Sequence, residues 1–323
     1  MALSLIYVLE ELKNDIFFLE KNYASFLRHL ERKNKNMITQ SRKALKKLSG
    51  ISFNSFITDR DGTINNYCAR YLSSVQSAYN SIFISKFSKS LTKHSIIITS
   101  APLEGILEMS VDPPQTFIYA GSKGREFMRE DSTLEKKKMS SSEEKIMQRL
   151  SEKISRLLSE KEFQDHLYIG SGLQKKFGQL TIARQDITGS IPKKDSLSLL
   201  EKIQRIVKEI DPKDSMLAIE DTGLDIEIIL KRGERAFDKG DGVKYIAKSL
   251  KIDLSKGTNL VCGDTSSDIA LAKKVKEINP ATIIIFVTRK DSLKKKVRSF
   301  AKDAIFVDNP DTLITIFYKL ANQ

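Results

Sequence analysis

Three short runs constrain this chain most. Ile96-Ile97-Ile98, Asn259–Cys262 and Thr282–Val287 are apolar with no alternation, and each stops at a polar turn. A strand that is apolar on both faces must be covered on both faces, the condition of a parallel sheet between two helix layers. Residues 53–57 (FNSFI) form another short strand candidate, and a helical stretch separates them from the isoleucine run. The α/β pattern returns from residue 240. It has a helix near 241–250, strands at 259–262 and 282–287 around a helix at 267–276, and a short strand at 304–307. The spacing predicts a Rossmann-like α/β core.

Between these parts the pattern changes. Residues 116–120 and 179–184 read as strands, as do Leu217–Glu220 and Asp225–Leu230 around a Thr222-Gly223 turn. Residues 131–162 carry Ile146, Leu150, Ile154, Leu157 and Leu158 at helical spacing, and residues 195–210 form an amphipathic helix. An inserted α+β module is therefore expected at 105–235, splitting a core made of 51–104 and 236–323, with a cleft where the two parts meet. Ahead of them, residues 1–50 read as an N-terminal helical segment. Leu5, Leu9, Leu12, Ile16, Leu19, Tyr23, Phe26 and Leu30 recur at alternating steps of four and three. That 3.5-residue period marks a stripe that packs either on its own chain or on a partner, a homo-oligomer among them.

Composition narrows the function. The chain has 323 residues with 54 Lys+Arg against 41 Asp+Glu, a net charge of +13. Residues 1–50 hold ten basic against five acidic residues, so part of the surplus lies outside the core. Two cysteines exclude a disulfide framework and point to a reducing, cytoplasmic setting. His29, His94 and His166 are scattered, which excludes a zinc cluster of ordinary spacing. No apolar run reaches the ~20 residues of a membrane span, so no membrane role is expected. No basic strand pair interleaved with aromatics, zinc finger or recognition helix is evident, so no nucleic-acid partner is expected.

The chemistry-bearing residues follow strands. Asp59-Arg60-Asp61-Gly62-Thr63 comes directly after the 53–57 run, and ligands of open parallel sheets bind beyond the strands' carboxyl ends. Two carboxylates two positions apart can divide roles, one ionised and one protonated, although an Asp/Gly-rich turn is also ordinary loop chemistry. Gly263-Asp264-Thr265-Ser266-Ser267-Asp268 follows Asn259–Cys262. Its two aspartates are hard oxygen ligands of the kind that suit Mg²⁺, while Ser267 or Asp268 could equally cap the next helix. Thr99 and Ser100 end the isoleucine run, and a hydroxyl there can bind a phosphate oxygen. Lys239 precedes the second α/β stretch and can neutralise a carboxylate or a phosphoryl group.

Taken in order, these four elements resemble the haloacid dehalogenase superfamily of phosphohydrolases. Its pattern is a strand ending in D-x-D-G-T, a strand ending in Ser/Thr, a lysine, and G-D-x-x-x-D. The resemblance covers residues 53–307 and implies an HAD core with the inserted module as its cap. Only about 33 residues separate Thr63 from Ile96, so the cap falls in the later of the family's two positions. Finer matches resemble trehalose-6-phosphate phosphatases: Tyr119–Glu126, Gly172–Phe177 with Leu180–Arg184, and Asp225–Leu230 before Lys239-Gly240. There are departures. Gln174 replaces a usual Glu, Ser100-Ala101-Pro102 replaces S-G-R, and Arg60 stands where Tyr is common.

The resemblance implies a phosphoric monoester hydrolase of trehalose biosynthesis, working with Mg²⁺ on a sugar phosphate. Asp59 is then the nucleophile and Asp61 the general acid and base, while Ser100 and Lys239 bind the phosphoryl group. Asp59, Asp61 (through its backbone carbonyl), Asp264 and Asp268 are then the metal ligands. Lys123, Glu126, Gln174, Lys176 and Arg184 are the implied sugar contacts. The alternatives are a sucrose-, glucosylglycerol- or mannosylglycerate-phosphate phosphatase, a phosphomannomutase-like enzyme, or a non-catalytic scaffold.

Overall fold

The structure, a computed structural model, describes residues 2–68, 70–186, 188–231 and 237–323, with side chains from Ile6 onward. The Leu5 side chain and the expected border at 235/236 lie outside the described residues. The described residues fall into two compact units.

The larger unit holds residues 9–67, 75–135 and 237–323. Its eight-stranded sheet has the order β12-β11-β10-β1-β2-β3-β4-β5. The strands are β1 (Phe53–Thr58), β2 (Thr92–Ile98), β3 (Ile118–Gly121), β4 (Glu126–Met128), β5 (Leu134–Lys136), β10 (Thr258–Gly263), β11 (Ile283–Val287) and β12 (Ile305–Val307). All pairings from β12 to β3 are parallel, and β4 turns back antiparallel on β3. The isoleucine run lies inside β2, buried on both faces as its composition requires.

Two apolar layers cover this sheet. On one face lie α2 (Tyr23–Lys33), α3 (Met37–Leu48), α4 (Ala78–Leu91) and α11 (Pro310–Leu320), through Phe26, Leu30, Leu48, Phe83, Phe87 and Phe317. On the other lie α8 (Lys239–Ser249), α9 (Ser267–Ile278) and α10 (Asp291–Arg298), through Val243, Ile246, Leu271, Val275 and Val297. The helix α5 (Leu103–Met109) follows β2.

The smaller unit contains a four-stranded antiparallel sheet, β6-β7-β9-β8, from β6 (Leu173–Lys176), β7 (Gln179–Ala183), β8 (Leu217–Asp221) and β9 (Asp225–Leu230). Its apolar face, with Leu180, Ile182, Ile226 and Ile228, packs on α6 (Ser141–Leu158) and α7 (Lys193–Ile210). Ser140 starts α6 with a reciprocal capping box to Glu143. The expected strand at 116–120 differs from the sequence reading. It becomes β3, the next parallel strand beside β2, because its apolar residues Ile118 and Ala120 continue the large sheet. Among the described residues no helix is long and apolar enough to cross a membrane.

The N-terminal segment is three helices, α1 (Ala2–Glu20), α2 and α3. Its late stripe residues Phe26 and Leu30 are buried in the core of the larger unit. The earlier ones, Leu9, Leu12, Ile16 and Leu19, are exposed.

Two glycines let α8 approach the turn after β3. A Cβ on Gly242 would collide with the Lys123 carbonyl oxygen and reach Gly124 Cα at 3.0 Å. Both neighbours are backbone and cannot give way cheaply. Gly242→Ala is therefore expected to destabilise the chain by ~2 kcal/mol or more, in the overpacking range. Gly223→Ala, whose Cβ meets nothing within 4 Å, should cost only the left-handed strain, ~1 kcal/mol. Urea unfolding of the two variants checks this, and a smaller loss for Gly242→Ala than for Gly223→Ala would refute it.

Candidate active site

The carboxyl ends of β1, β2 and β10 lie side by side, because Thr58 is in register with Ile97 on one flank and with Cys262 on the other. Asp59, Thr99-Ser100 and Asp264 therefore leave the sheet along one edge. The Asp59 N–H still bonds the Cys262 carbonyl (3.1 Å). After it the chain wraps on itself. The N–H groups of Ile64 and Asn65 donate to the Arg60 carbonyl, and Gly62 N–H donates to Asn65 O (2.7 Å). Gly62 has φ +86°, and a Cβ there would collide with the Asp264 carboxylate. Glycine thus allows the 59–65 turn and the 263–268 loop to touch.

Lys239 is the centre of the charge pattern. A capping box between Asp238 and Asp241 starts α8 and holds Lys239 in its first turn. Its ammonium donates to Asp59 Oδ1 (2.5 Å) and Asp268 Oδ1 (2.6 Å), and the residue is 2% exposed. Burial alone would lower its pKa, but the two carboxylates outweigh that and raise it. Asp268 is also buried, yet Lys239 and the N–H groups of Thr265 and Asp264 hold its carboxyl below the usual range. Asp264 lacks such an ammonium contact. Burial, then the charges of Asp59 and Asp268, push it up to about 8. Burial and the same crowding raise Asp59 to about 6 against the pull of Lys239.

Asp59, Asp264 and Asp268 each offer an oxygen within 4.8 Å of the others. The ammonium of Lys239 bonds Asp59 and Asp268 but not Asp264, so these three hard oxygen donors are a set that a hydrated Mg²⁺ fits. The Asp61 carboxylate stands apart from that set. It pairs with the buried Arg60 guanidinium (2.6 Å), whose other arm donates to the Met109 carbonyl (3.2 Å).

Thr99 and Ser100 separate by exposure. Thr99 is buried, and its hydroxyl accepts from the Ala101 N–H (3.2 Å). Ser100 is partly exposed at the edge. Of the implied sugar contacts, Lys123 and Glu126 belong to the larger unit. Lys123 sits at φ +62° in the turn after β3. Glu126 is buried, and its Oε1 accepts from the Ser122 hydroxyl (2.7 Å) and the Leu103 N–H (3.3 Å), so it braces that turn. The others belong to the smaller unit. Gln174 and Lys176 share one face of β6, while Arg184 pairs with Asp221 and donates to Ser196 Oγ (2.9 Å).

Two site residues escaped the sequence reading. The Thr63 hydroxyl donates toward both Asp59 Oδ2 (3.3 Å) and Asp264 Oδ1 (3.2 Å), linking the two loops. Its place at the end of D-x-D-G-T was the available signal. The Thr265 hydroxyl donates to Asp268 (3.0 Å), and no residue pattern singled it out.

The chain resembles known proteins over most of its length. The family model "Trehalose-6-phosphate phosphatase, C-terminal" matches residues 56–313. Alpha,alpha-trehalose-phosphate synthase (UDP-forming) 1 of Aphelenchoides avenae is 34% identical over 272 residues, covering 81% of this chain and 24% of that protein. The trehalose-phosphatase of Caenorhabditis elegans is 29% identical over 283 residues, covering 83% of this chain and 63% of that protein. The chain thus spans about a quarter of the synthase relative and under two thirds of the phosphatase relative. A solved trehalose-6-phosphate phosphatase related protein shares the fold. Its TM-score is 0.56 at 14% identity, covering 83% of this chain and 97% of that one. With the family model spanning both the core and the inserted unit, the chain belongs to the trehalose-6-phosphate phosphatase C-terminal family.

Proposed function

We propose that the chain hydrolyses the phosphomonoester of trehalose 6-phosphate to trehalose and phosphate. The observation that carries this reading is the buried Asp59–Lys239–Asp268 triad at the strand ends, inside a chain of this family. Asp59 attacks phosphorus with a carboxylate oxygen while the bond from phosphorus to the sugar oxygen breaks. Asp61, released from its pair with Arg60 and protonated from solvent, gives that proton to the leaving oxygen. Water then attacks the aspartyl phosphate, Asp61 takes the water's proton, and phosphate leaves with Asp59 restored.

Lys239 neutralises Asp59 and the phosphoryl oxygens, and the Ser100 hydroxyl donates to another of them. Arg60 holds the Asp61 carboxyl until substrate enters. Asp59, Asp264 and Asp268, with the Asp61 backbone carbonyl, would hold Mg²⁺. When bound, it supplies the positive charge that lets an anionic nucleophile meet an anionic phosphate. Lys123, Gln174 and Lys176 are the candidate contacts to sugar hydroxyls, with Glu126 and Arg184 shaping their surroundings. A cytoplasmic location is part of the reading, consistent with the sparse cysteines.

The deciding experiment is phosphate release from trehalose 6-phosphate, sucrose phosphate, glucosylglycerol phosphate and glucose 6-phosphate, with Mg²⁺ and with EDTA. Trehalose 6-phosphate should be turned over at least ~10-fold better than the others, the discrimination expected of a few directed hydrogen bonds. Equal rates would replace it with a broad sugar-phosphate phosphatase, and no release from any would refute the hydrolase.

Asp59→Asn and Asp61→Asn should each lower kcat by ~10³-fold or more, since each removes a group acting on the reacting atoms. Ser100→Ala should cost less, ~10-fold, while Thr99→Val should mainly destabilise. A Thr99→Val variant that folds normally but loses more activity than Ser100→Ala would reverse their roles.

The clustered carboxylates also set a pH dependence. In the fold Asp264 keeps its proton to about 8 and Asp59 to about 6. Unfolded, both would ionise near ~4. Between those limits the folded metal-free chain binds more protons, so its stability falls as pH rises from ~4 to ~8. Asp268, held low, acts only below that window. Urea midpoints in EDTA should decline across the range, Asp264→Asn should flatten the decline, and Mg²⁺ should restore stability at pH 8. A midpoint rising with pH in EDTA would contradict this charge pattern.

A further inference from the structure

The helix α1 precedes the residues that the family model matches, yet its polar side reaches the turn that carries the catalytic carboxylates. That turn, 59–65, closes on itself through the Arg60 carbonyl. Its exit is held from outside. The side-chain amide of Asn66, the next residue, donates to Glu11 Oε1 of α1 (2.9 Å) and to Asp311 Oδ1 of α11 (2.9 Å). An amide NH₂ has two hydrogens, and this uses both. The Tyr79 hydroxyl faces the same two carboxylates, at Glu11 Oε2 (3.2 Å) and Asp311 Oδ1 (3.0 Å). A second route runs through α4. Asp15 of α1 accepts from the N–H groups of Ala78 (2.9 Å) and Tyr79 (3.2 Å), where a helix start favours an anion. One residue further on, Asn80 Nδ2 donates to the Ile64 carbonyl inside the turn.

Attachment of α1 alone does not require this network. Phe18, buried against Phe26 and Phe83, already supplies apolar packing. Glu11 and Asp311 are both buried, and two neighbouring buried carboxylates cost free energy that apolar side chains would avoid. Burial and the charge of Asp311 push the Glu11 carboxyl up. What the network adds is direction. A satisfied buried network fixes one arrangement, whereas apolar contacts tolerate repacking.

We propose that Glu11 is a positioning residue: through Asn66 it holds the 59–65 turn, and with it Asp59 and Asp61, in the geometry the reaction needs. The N-terminal helix is then part of the catalytic apparatus although no catalytic motif lies in it. The kinetic consequence rests on the phosphatase reading, whereas the restraint on the turn does not. Small displacements of reacting groups are costly, so a restraint at the turn's exit is read in turnover and not in substrate affinity.

Two measurements on the full chain test this. With trehalose 6-phosphate and Mg²⁺, Glu11→Ala and Asn66→Ala should each lower kcat at least ~10-fold and leave KM within ~2-fold. Glu11→Gln keeps an acceptor for the Asn66 amide and should recover kcat to within ~3-fold of wild type. Phe18→Ala loosens the same helix without touching the turn, so it should lower the urea midpoint and spare kcat. Hydrogen exchange of the peptide 59–66, without substrate, should quicken ~10-fold in both alanine variants and stay unchanged in Glu11→Gln and Phe18→Ala. If Glu11→Ala does not fold, Asn66→Ala, at a half-buried position, carries the same test. Alanine variants with wild-type exchange in the turn would overturn the proposal. So would Phe18→Ala matching Glu11→Ala in lost turnover, or Glu11→Gln failing to recover it. A wild-type chain that releases no phosphate would refute the phosphatase reading instead, and the exchange measurement would still decide whether Glu11 restrains the turn.

Discussion

A single ammonium group, that of Lys239, is the contact on which the core of this chain depends. It joins the end of β1, through Asp59, to the start of α9, through Asp268, and it does so from the first turn of α8. Three secondary-structure elements far apart in sequence meet at one buried charge. Taking three ions out of water costs several kcal/mol per ion, and good geometry with further hydrogen bonds must offset it. Asp268 has those bonds in the N–H groups of Asp264 and Thr265 and in the Thr265 hydroxyl. Asp59 has the Thr63 hydroxyl. Removing the lysine would leave two carboxylates facing each other without water, a larger loss than the ion pair itself contributes.

The same arrangement explains why Asp264 differs from its neighbours. It shares the crowding but not the lysine contact, so it carries the largest upward displacement among the three carboxyls. A site that is electrostatically incomplete without a cation is poised to take one. Backbone geometry serves this charge pattern. Gly62 lets the two acidic loops touch, and Gly242 lets α8 sit against the 122–124 turn, which sets the height at which Lys239 leaves its helix.

The parts that were legible in the sequence are those where one physical requirement leaves one solution. An isoleucine run needs covering on both faces, and it became the buried half of β2. Strand ends followed by D-x-D-G-T and G-D-x-x-x-D had to share an edge once those strands ran parallel, and β1 and β10 are neighbours. The strand expected at 116–120 within the inserted module is instead β3 of the large sheet, because a short apolar segment does not declare which sheet it joins. The last helix, α11, was not anticipated, although Asn309-Pro310 is a sound start signal whose side chain caps Thr312. The place of Glu126 in a motif suggests a substrate contact, and the structure adds a bracing role. Its bonds to Ser122 and Leu103 depend on a turn that residue spacing does not reveal.

Periodicity alone also left the N-terminal stripe undecided between its own chain and a partner, and the structure divides it. Phe26 and Leu30 enter the core because α2 lies over α4 and α11, where aromatic rings offer matching surface. In α1 the side opposite the stripe wins the inward position. The start of α4 presents unsatisfied N–H groups, and Tyr79 and Asn66 present further donors. Leucines could not satisfy those donors, and each buried donor left without a partner would cost about 1–3 kcal/mol. Asp15, Asn14 and Glu11 therefore turn inward, and Leu9, Leu12, Ile16 and Leu19 are carried outward by helical geometry. The apolar face is thus a consequence of satisfying the polar groups beneath it.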